Sequence, residues 1–109
     1  MGPAATPMNG QVSLKTHRAQ GQTVVALCDA ELVGRKLKDG KLTITLSEGF
    51  YGGELFDPEE SGLFNLLRAA TSYNIFGERA IAVAVKFNLV DRAAVRLVDG
   101  VPHAQVYCL

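Results

Sequence analysis

The chain has no tryptophan, only two cysteines and no excess of either charge: eleven Lys/Arg stand against eleven Asp/Glu in 109 residues. Each shortage excludes something. A neutral balance removes the large basic excess that marks tight nucleic-acid binders. Cys28 and Cys108 are too few to staple a small secreted scaffold. No apolar run approaches the ~20 residues of a spanning helix, so a helical membrane segment is excluded and no membrane partner is expected. What is present is ordinary for a folded domain: 48% hydrophobic and 20% charged residues. The length fits one core and leaves no room for a second domain.

Residues 1–10 read MGPAATPMNG. Small residues, Pro and Gly dominate, which predicts a disordered tail ahead of a single domain over residues 11–109. The tail has neither a basic nor an apolar region of the secretory kind. Gly2 and Thr6 match a myristoylation pattern, but Pro3 sits awkwardly within it. The tail reads as an appended remnant, with Met8 as the natural start and a cytoplasmic location for the protein. Each cysteine ends an apolar run, where free Cys behaves as a small buried hydrophobe. A Cys28–Cys108 disulfide stays open as an alternative.

Gln11 to His17 alternates, and Thr23 to Cys28 is nearly continuous apolar, so the two predict a hairpin with an outer and a central strand. Asp29 is placed to cap a short helix through Val33. Lys41 to Ser47 alternates with Leu42, Ile44 and Leu46 facing inward. The strongest helix start is Asp57-Pro58 with Glu60 behind it. Leu63, Phe64, Leu67 and Ala70 then supply the core stripe of a helix running to about Thr71. After a break at 72–77, a largely buried helix is predicted over 77–87, ended by Asn88. Val95 to Val98, Asp99-Gly100 and Val101 to Cys108 form the clearest hairpin signal. Its two-residue turn pairs Val98 with Val101 and Arg96 with His103. Pro102 has no N–H for a ladder, which predicts an edge strand. The whole predicts an α+β domain: a mostly antiparallel sheet of about five strands with two main helices packed on one face.

Four ordered runs carry a resemblance. They are Cys28-Asp29-Ala30-Glu31-Leu32-Val33-Gly34, Phe50-Tyr51-Gly52-Gly53-Glu54, Asn74-Ile75-Phe76-Gly77-Glu78-Arg79-Ala80 and Gly100-Val101-Pro102-His103-Ala104-Gln105. Over roughly Val12 to Val106 the chain resembles the small archaeal family known as domain of unknown function 424. The resemblance implies an archaeal, cytoplasmic source and no settled activity, so it carries no catalytic role.

Five constellations are candidates for chemistry. His17, His103, Cys28 and Cys108 are zinc-type ligands, but no two lie at finger or ribbon spacing, so neither metal nor other cofactor is expected. Cys28 beside Asp29, with a histidine, suggests a nucleophile, but strand alternation sends the two side chains to opposite faces. Phe50-Tyr51-Gly52-Gly53 is a loop suited to close approach, or simply a plug at the end of the core. Asn74 to Arg79 opens the buried helix; Gly77 and Arg79 there suit an anion, or Asn74 caps and Gly77 packs tightly. Finally, the outer sheet face collects Lys15, His17, Lys41, Arg96, His103 and Tyr107 with no acid, while residues 46–76 carry one base against five acids. Such a face binds RNA when aromatics stack on bases, though only Tyr107 is available here.

The favoured expectation is therefore a non-enzymatic binding module associated with RNA or a ribonucleoprotein through Lys15, His17, Lys41, Arg96, His103 and Tyr107. The alternative is a small enzyme or ligand-binding domain. Its cleft would use Cys28, Asp29, Asn74, Gly77, His103 and the Phe50–Glu54 loop with Tyr51, Gly52 and Gly53.

Overall fold

A computed structural model describes residues 10–108. The expected tail, Gly10 apart, lies outside the described residues. Strands β1 (Val12–Ala19) and β2 (Gln22–Asp29) form the expected hairpin. A short 3-10 turn then leads to a second hairpin, β3 (Lys36–Asp39) and β4 (Leu42–Thr45), turned at Gly40. There follow α1 (Glu48–Tyr51), β5 (Glu54–Phe56), α2 (Leu63–Leu67), β6 (Ser72–Phe76), α3 (Glu78–Lys86), β7 (Arg96–Val98) and β8 (Val101–Tyr107).

The main sheet has six strands in the order β5-β1-β2-β6-β8-β7. All its neighbours are antiparallel except β2 and β6, which run parallel. The sheet is thus mixed but still mostly antiparallel, and it has six strands against the five expected. Two of the six, β5 and β6, were not expected, while the strand expected over Lys41 to Ser47 leaves the main sheet and pairs with β3; β6 lies where the sequence suggested only a break. Ser72 and Asn74 dilute its apolar signal, and five residues are too few to show a period. It is a strand because it lies between β2 and β8, which satisfy its backbone on both sides.

The helix expected from Asp57 to Thr71 also shrinks, to five residues. The Asp57 carboxylate accepts from the Glu59 N–H at 3.0 Å, and the Asp57 carbonyl accepts from the Glu60 N–H. This local Asx turn competes with helix and wins. Leu63 and Leu67 are still fully buried, while Phe64 is exposed at the rim.

The sheet separates two cores. On one face Val12, Leu14, Val25, Leu27, Tyr73 and Ile75 meet Leu63 and Leu67 of α2 and Ala80, Ile81, Val83 and Ala84 of α3. On the other, Ala26, Cys28, Phe76 and Val98 lie beneath Leu37 of β3, Leu46 just after β4 and Tyr51 of α1. Residues of both α2 and α3 belong to the first of these cores. The outer face is not fully open: the β3–β4 hairpin and α1 cover part of it. Leu42, expected inward, is 68% exposed; Ile44 and Leu46 hold the hairpin down instead.

The final hairpin has the expected register: Arg96 opposite His103 and Val98 opposite Val101, through a turn with Asp99 and Gly100 both at positive φ. Pro102, however, is not on an edge strand, since β8 lies between β6 and β7. It sits where the β6 ladder ends. Gly77 donates its N–H to the Pro102 carbonyl at 2.8 Å, but Pro102 has no N–H to return. The Gly77 carbonyl instead accepts from the Ile81 N–H at 2.9 Å, the first bond of α3. Gly77 itself has φ +110°, and a Cβ there would lie 2.3 Å from the Asp29 carboxyl carbon.

Two stability outcomes follow. Leu67→Ala is expected to cost about 2–5 kcal/mol, the range for a truncated buried leucine; an unmoved denaturation midpoint would make α2 peripheral. Gly77→Ala is expected to cost at least ~1–3 kcal/mol from backbone strain alone, with a further loss from displacing Asp29. A midpoint within error of wild type would refute that packing.

Candidate functional site

The strand register sets the outer face in three rows. Ser13, Cys28, Phe76, His103 and Arg96 form the first; Lys15, Ala26, Asn74 and Gln105 the second; His17, Val24, Ser72 and Tyr107 the third. The first row is roofed by α1 and the β3–β4 hairpin over Cys28 and Phe76. The rows open toward β8, where Gln105 and Tyr107 are exposed.

A ladder of rings borders this opening. Phe50 stacks on His17 with centroids 4.4 Å apart. Tyr51 meets Phe50 edge-on, and then Phe76 at 5.7 Å. Phe76 stacks on His103 at 3.9 Å. Both histidines are fixed by carbonyls: Nε2 of His17 reaches the Phe50 oxygen and Nδ1 of His103 the Ile75 oxygen, each at 2.9 Å. A carbonyl only accepts, so those nitrogens carry the protons. That leaves Nδ1 of His17 and Nε2 of His103 as acceptors. Tyr51 donates its O–H to Oδ1 of Asn74 at 3.3 Å, which leaves the Asn74 amide donors for other partners.

The Phe50–Glu54 segment is a short helix and a close crossing, so the plug reading is the one that fits. Tyr51 is buried, and burial pushes its phenol up to about 12. Ser13, buried in β1, donates to the Tyr51 carbonyl and accepts from the Gly53 N–H, both at 2.8 Å. A Cβ on Gly53 would lie 2.1 Å from the Leu14 carbonyl oxygen, so only glycine allows this crossing. A Cβ on Gly52 would meet the Glu48 carbonyl oxygen at 2.7 Å, and Glu54 pairs with Leu14. Ser13 was not singled out from the sequence, where it is one polar residue among several at alternate positions.

The proposed cleft does not assemble. Cys28 and Asp29 lie on opposite faces of β2, as alternation required. Burial, with the Asp29 and Glu31 charges behind it, pushes the Cys28 thiol up to about 12. At that value it is not a thiolate nucleophile at neutral pH. Phe76 stands between Cys28 and His103 in their row. Cys108, expected in the core, is exposed, and both cysteines are free.

Asp29 does not cap the 3-10 turn that follows it. Its carboxylate accepts instead from the Ala80 N–H at 2.8 Å and the Arg79 N–H at 3.3 Å, at the start of α3. Burial nevertheless holds its pKa above the ordinary range, outweighing those bonds and the Arg79 charge. Asp29 therefore fills the helix end where Gly77 and Arg79 suggested an anion. Asn74, expected as the cap of that helix, lies within β6. Arg79 pairs outward with Glu31.

Of the basic residues expected on one face, Lys15, His17, Arg96 and His103 share the outer rows. Lys41 does not: it precedes β4 on the separate hairpin. Arg96 holds Asp39 of β3 at 2.8 Å, so part of its charge is already answered. Tyr107 is 69% exposed. Among the described residues no group of three or more metal-ligating side chains is present, and no helix is long and apolar enough to cross a membrane.

Fold and face together define a small α+β domain on a mixed sheet, half roofed by its own hairpin. Residues 17–109 match the family described as Protein of unknown function (DUF424), and the chain belongs to it. It is also similar to the crystal structure of an uncharacterized conserved protein from Methanopyrus kandleri. The two share 31% identity with a TM-score of 0.81, over 91% of this chain and 92% of that one. No curated protein matches the chain.

The state of His103 yields a pH test. Burial lowers its pKa, with the Arg96 charge adding to the effect against the Ile75 bond. The unfolded chain therefore takes up this proton first, below ~6.5. The stability tied to neutral His103 is complete above that pH and falls as pH drops toward the lower folded value. Between pH 7.5 and 5.5, His103→Gln is expected to lose less of its denaturation midpoint than wild type. Equal losses in both proteins would show that His103 is not the titrating group.

Proposed function

We propose that this protein is a non-enzymatic binding module whose contact surface is the open part of the outer sheet face, and that its partner is single-stranded RNA or a ribonucleoprotein. The observation that carries this reading is the side-chain set at the opening. Lys15, His17, Arg96 and His103 supply cations and imidazoles, Asn74 and Gln105 supply amides, and Tyr107 supplies an exposed ring. Asp39, already engaged with Arg96, is the acid at its border. Such sheets meet unpaired bases by stacking and hydrogen bonding while cations track the phosphates. The buried, high-pKa thiol of Cys28 weighs against the competing cleft.

With Lys41 on another element, attraction rests on Lys15 and Arg96. Filter binding to mixed single-stranded RNA should be weak and fall with salt at about 0.7 per phosphate for some two phosphates. Lys15→Gln with Arg96→Gln should abolish it, and Lys41→Gln should leave it unchanged. Exposed charges contribute little to stability, so the double variant should stay folded. No binding by wild type at low salt would overturn the proposal, and so would undiminished binding by the double variant.

A further inference from the structure

The roofing hairpin and the final hairpin each lend a carboxylate to the other. Asp39 ends β3, just before the turn at Gly40, and binds Nη2 of Arg96 on β7 at 2.8 Å. Asp99 lies in the β7–β8 turn and accepts from the Lys38 N–H of β3 at 2.9 Å. The two contacts differ in what they occupy. The Asp99 bond takes up a main-chain N–H and no cation. The Asp39 bond takes up Arg96, one of the two cations on which attraction to RNA rests, and Asp39 is its one ion-pair partner among the described residues. Asp39 is also held in position. It pairs with Leu42 in the hairpin ladder, and Leu37, two residues before it, is fully buried beneath the roof. A short side chain on a fixed strand loses little freedom in holding a guanidinium, and that loss is the usual cost of an exposed pair.

We propose that the Asp39–Arg96 pair is an autoinhibitory contact: in the free protein the Asp39 carboxylate occupies the place on Arg96 that an RNA phosphate takes on binding. The inference rests on the RNA-binding reading above and concerns how that face is regulated. A guanidinium holds carboxylate and phosphate in the same way, by N–H donors to anionic oxygens, so the two compete for one set of donors. Binding exchanges one anion for the other and leaves Asp39 beside the strand without its cation. The Arg96 side chain is 61% exposed, so a phosphate reaches it from solvent while the roof stays in place. Leu37, Leu46 and the Asp99 bond hold that roof independently of Arg96. The contact therefore acts as a threshold. A single phosphate meets a competitor already in position, whereas a strand that also engages Lys15 and Tyr107 has other contacts with which to displace it.

Filter binding with oligo(U) of about ten nucleotides reads the exchange. Asp39→Asn keeps the shape of the side chain and removes its charge. It should bind about two- to fivefold more tightly than wild type, the weight of one exposed ion pair. In an Arg96→Gln background the same substitution should bring no gain, because there is no guanidinium to release. Asp99→Gly is the control for the roof. It removes an acid and a roof contact at the same corner without touching Arg96, and the φ of +52° at that position suits glycine. Its affinity should equal that of wild type. Unfolding midpoints would show the variants folded. Should one not fold, the carboxyl carbon resonance of Asp39 in wild type decides: it should move as oligo(U) is added, and an unmoved resonance at saturation overturns the exchange. Unchanged affinity of Asp39→Asn, the same gain in the Arg96→Gln background, or the same gain in Asp99→Gly overturns the autoinhibitory contact but leaves the binding face standing. No binding by any of these proteins at low salt overturns both.

Discussion

The carboxylate of Asp29 against the first turn of α3 is the joint on which the rest of the structure depends. A parallel pair has no tight turn to hold it, and β2 and β6 are the parallel pair here. Their ends are joined instead by a side chain: Asp29 closes β2 and binds the backbone of the helix that follows β6. Burying that charge is unfavourable, and the raised pKa says that burial outweighs the donors and Arg79. The joint holds because the carboxylate also meets the positive end of α3 and because Gly77 leaves room for it. Pro102 completes the corner by leaving the Gly77 carbonyl free to start the helix.

From that joint the sheet divides the molecule by chemistry. The helical face holds a mostly aliphatic core, joined by Phe56 and by Tyr73, whose hydroxyl is satisfied by the Leu67 carbonyl. The other face is graded. It is sealed around Cys28, ring-lined through Tyr51, Phe76 and His103, and open at Gln105 and Tyr107. A short hairpin, kept in place by Leu37, Leu46 and the Asp39–Arg96 pair, decides where sealed becomes open. The open rows are thus the part of a two-faced sheet that the roof is too small to reach.

Legibility in the sequence followed the range of the interactions. The Asp99-Gly100 hairpin and its register, the end of α3 at Asn88 and the opposed faces of Cys28 and Asp29 were all readable, because each is settled within a few residues. What was missed is non-local. Strand β6 depends on β2, some fifty positions away, and the displacement of Lys41 depends on a hairpin that leaves the main sheet. Asp57 misled because one acid before a proline serves an Asx turn as well as a helix. On the outer face, alternation placed His17, His103 and Tyr107 on one side of the sheet, which is where the strand register has them. It had no means of showing that Arg96 meets Asp39 or that Ser13 clips the α1 crossing.

The single parallel pair also has a kinetic consequence. Hairpins β1–β2 and β7–β8 close over two-residue turns, on the time scale of microseconds. Residues 24–28 must then find residues 72–76 across a long intervening segment before the central seam exists. Loop-closure entropy is lost in full before that contact returns anything. The two hairpins are therefore early, separable pieces, and the joining of β2 to β6 is the slow event that turns them into one sheet.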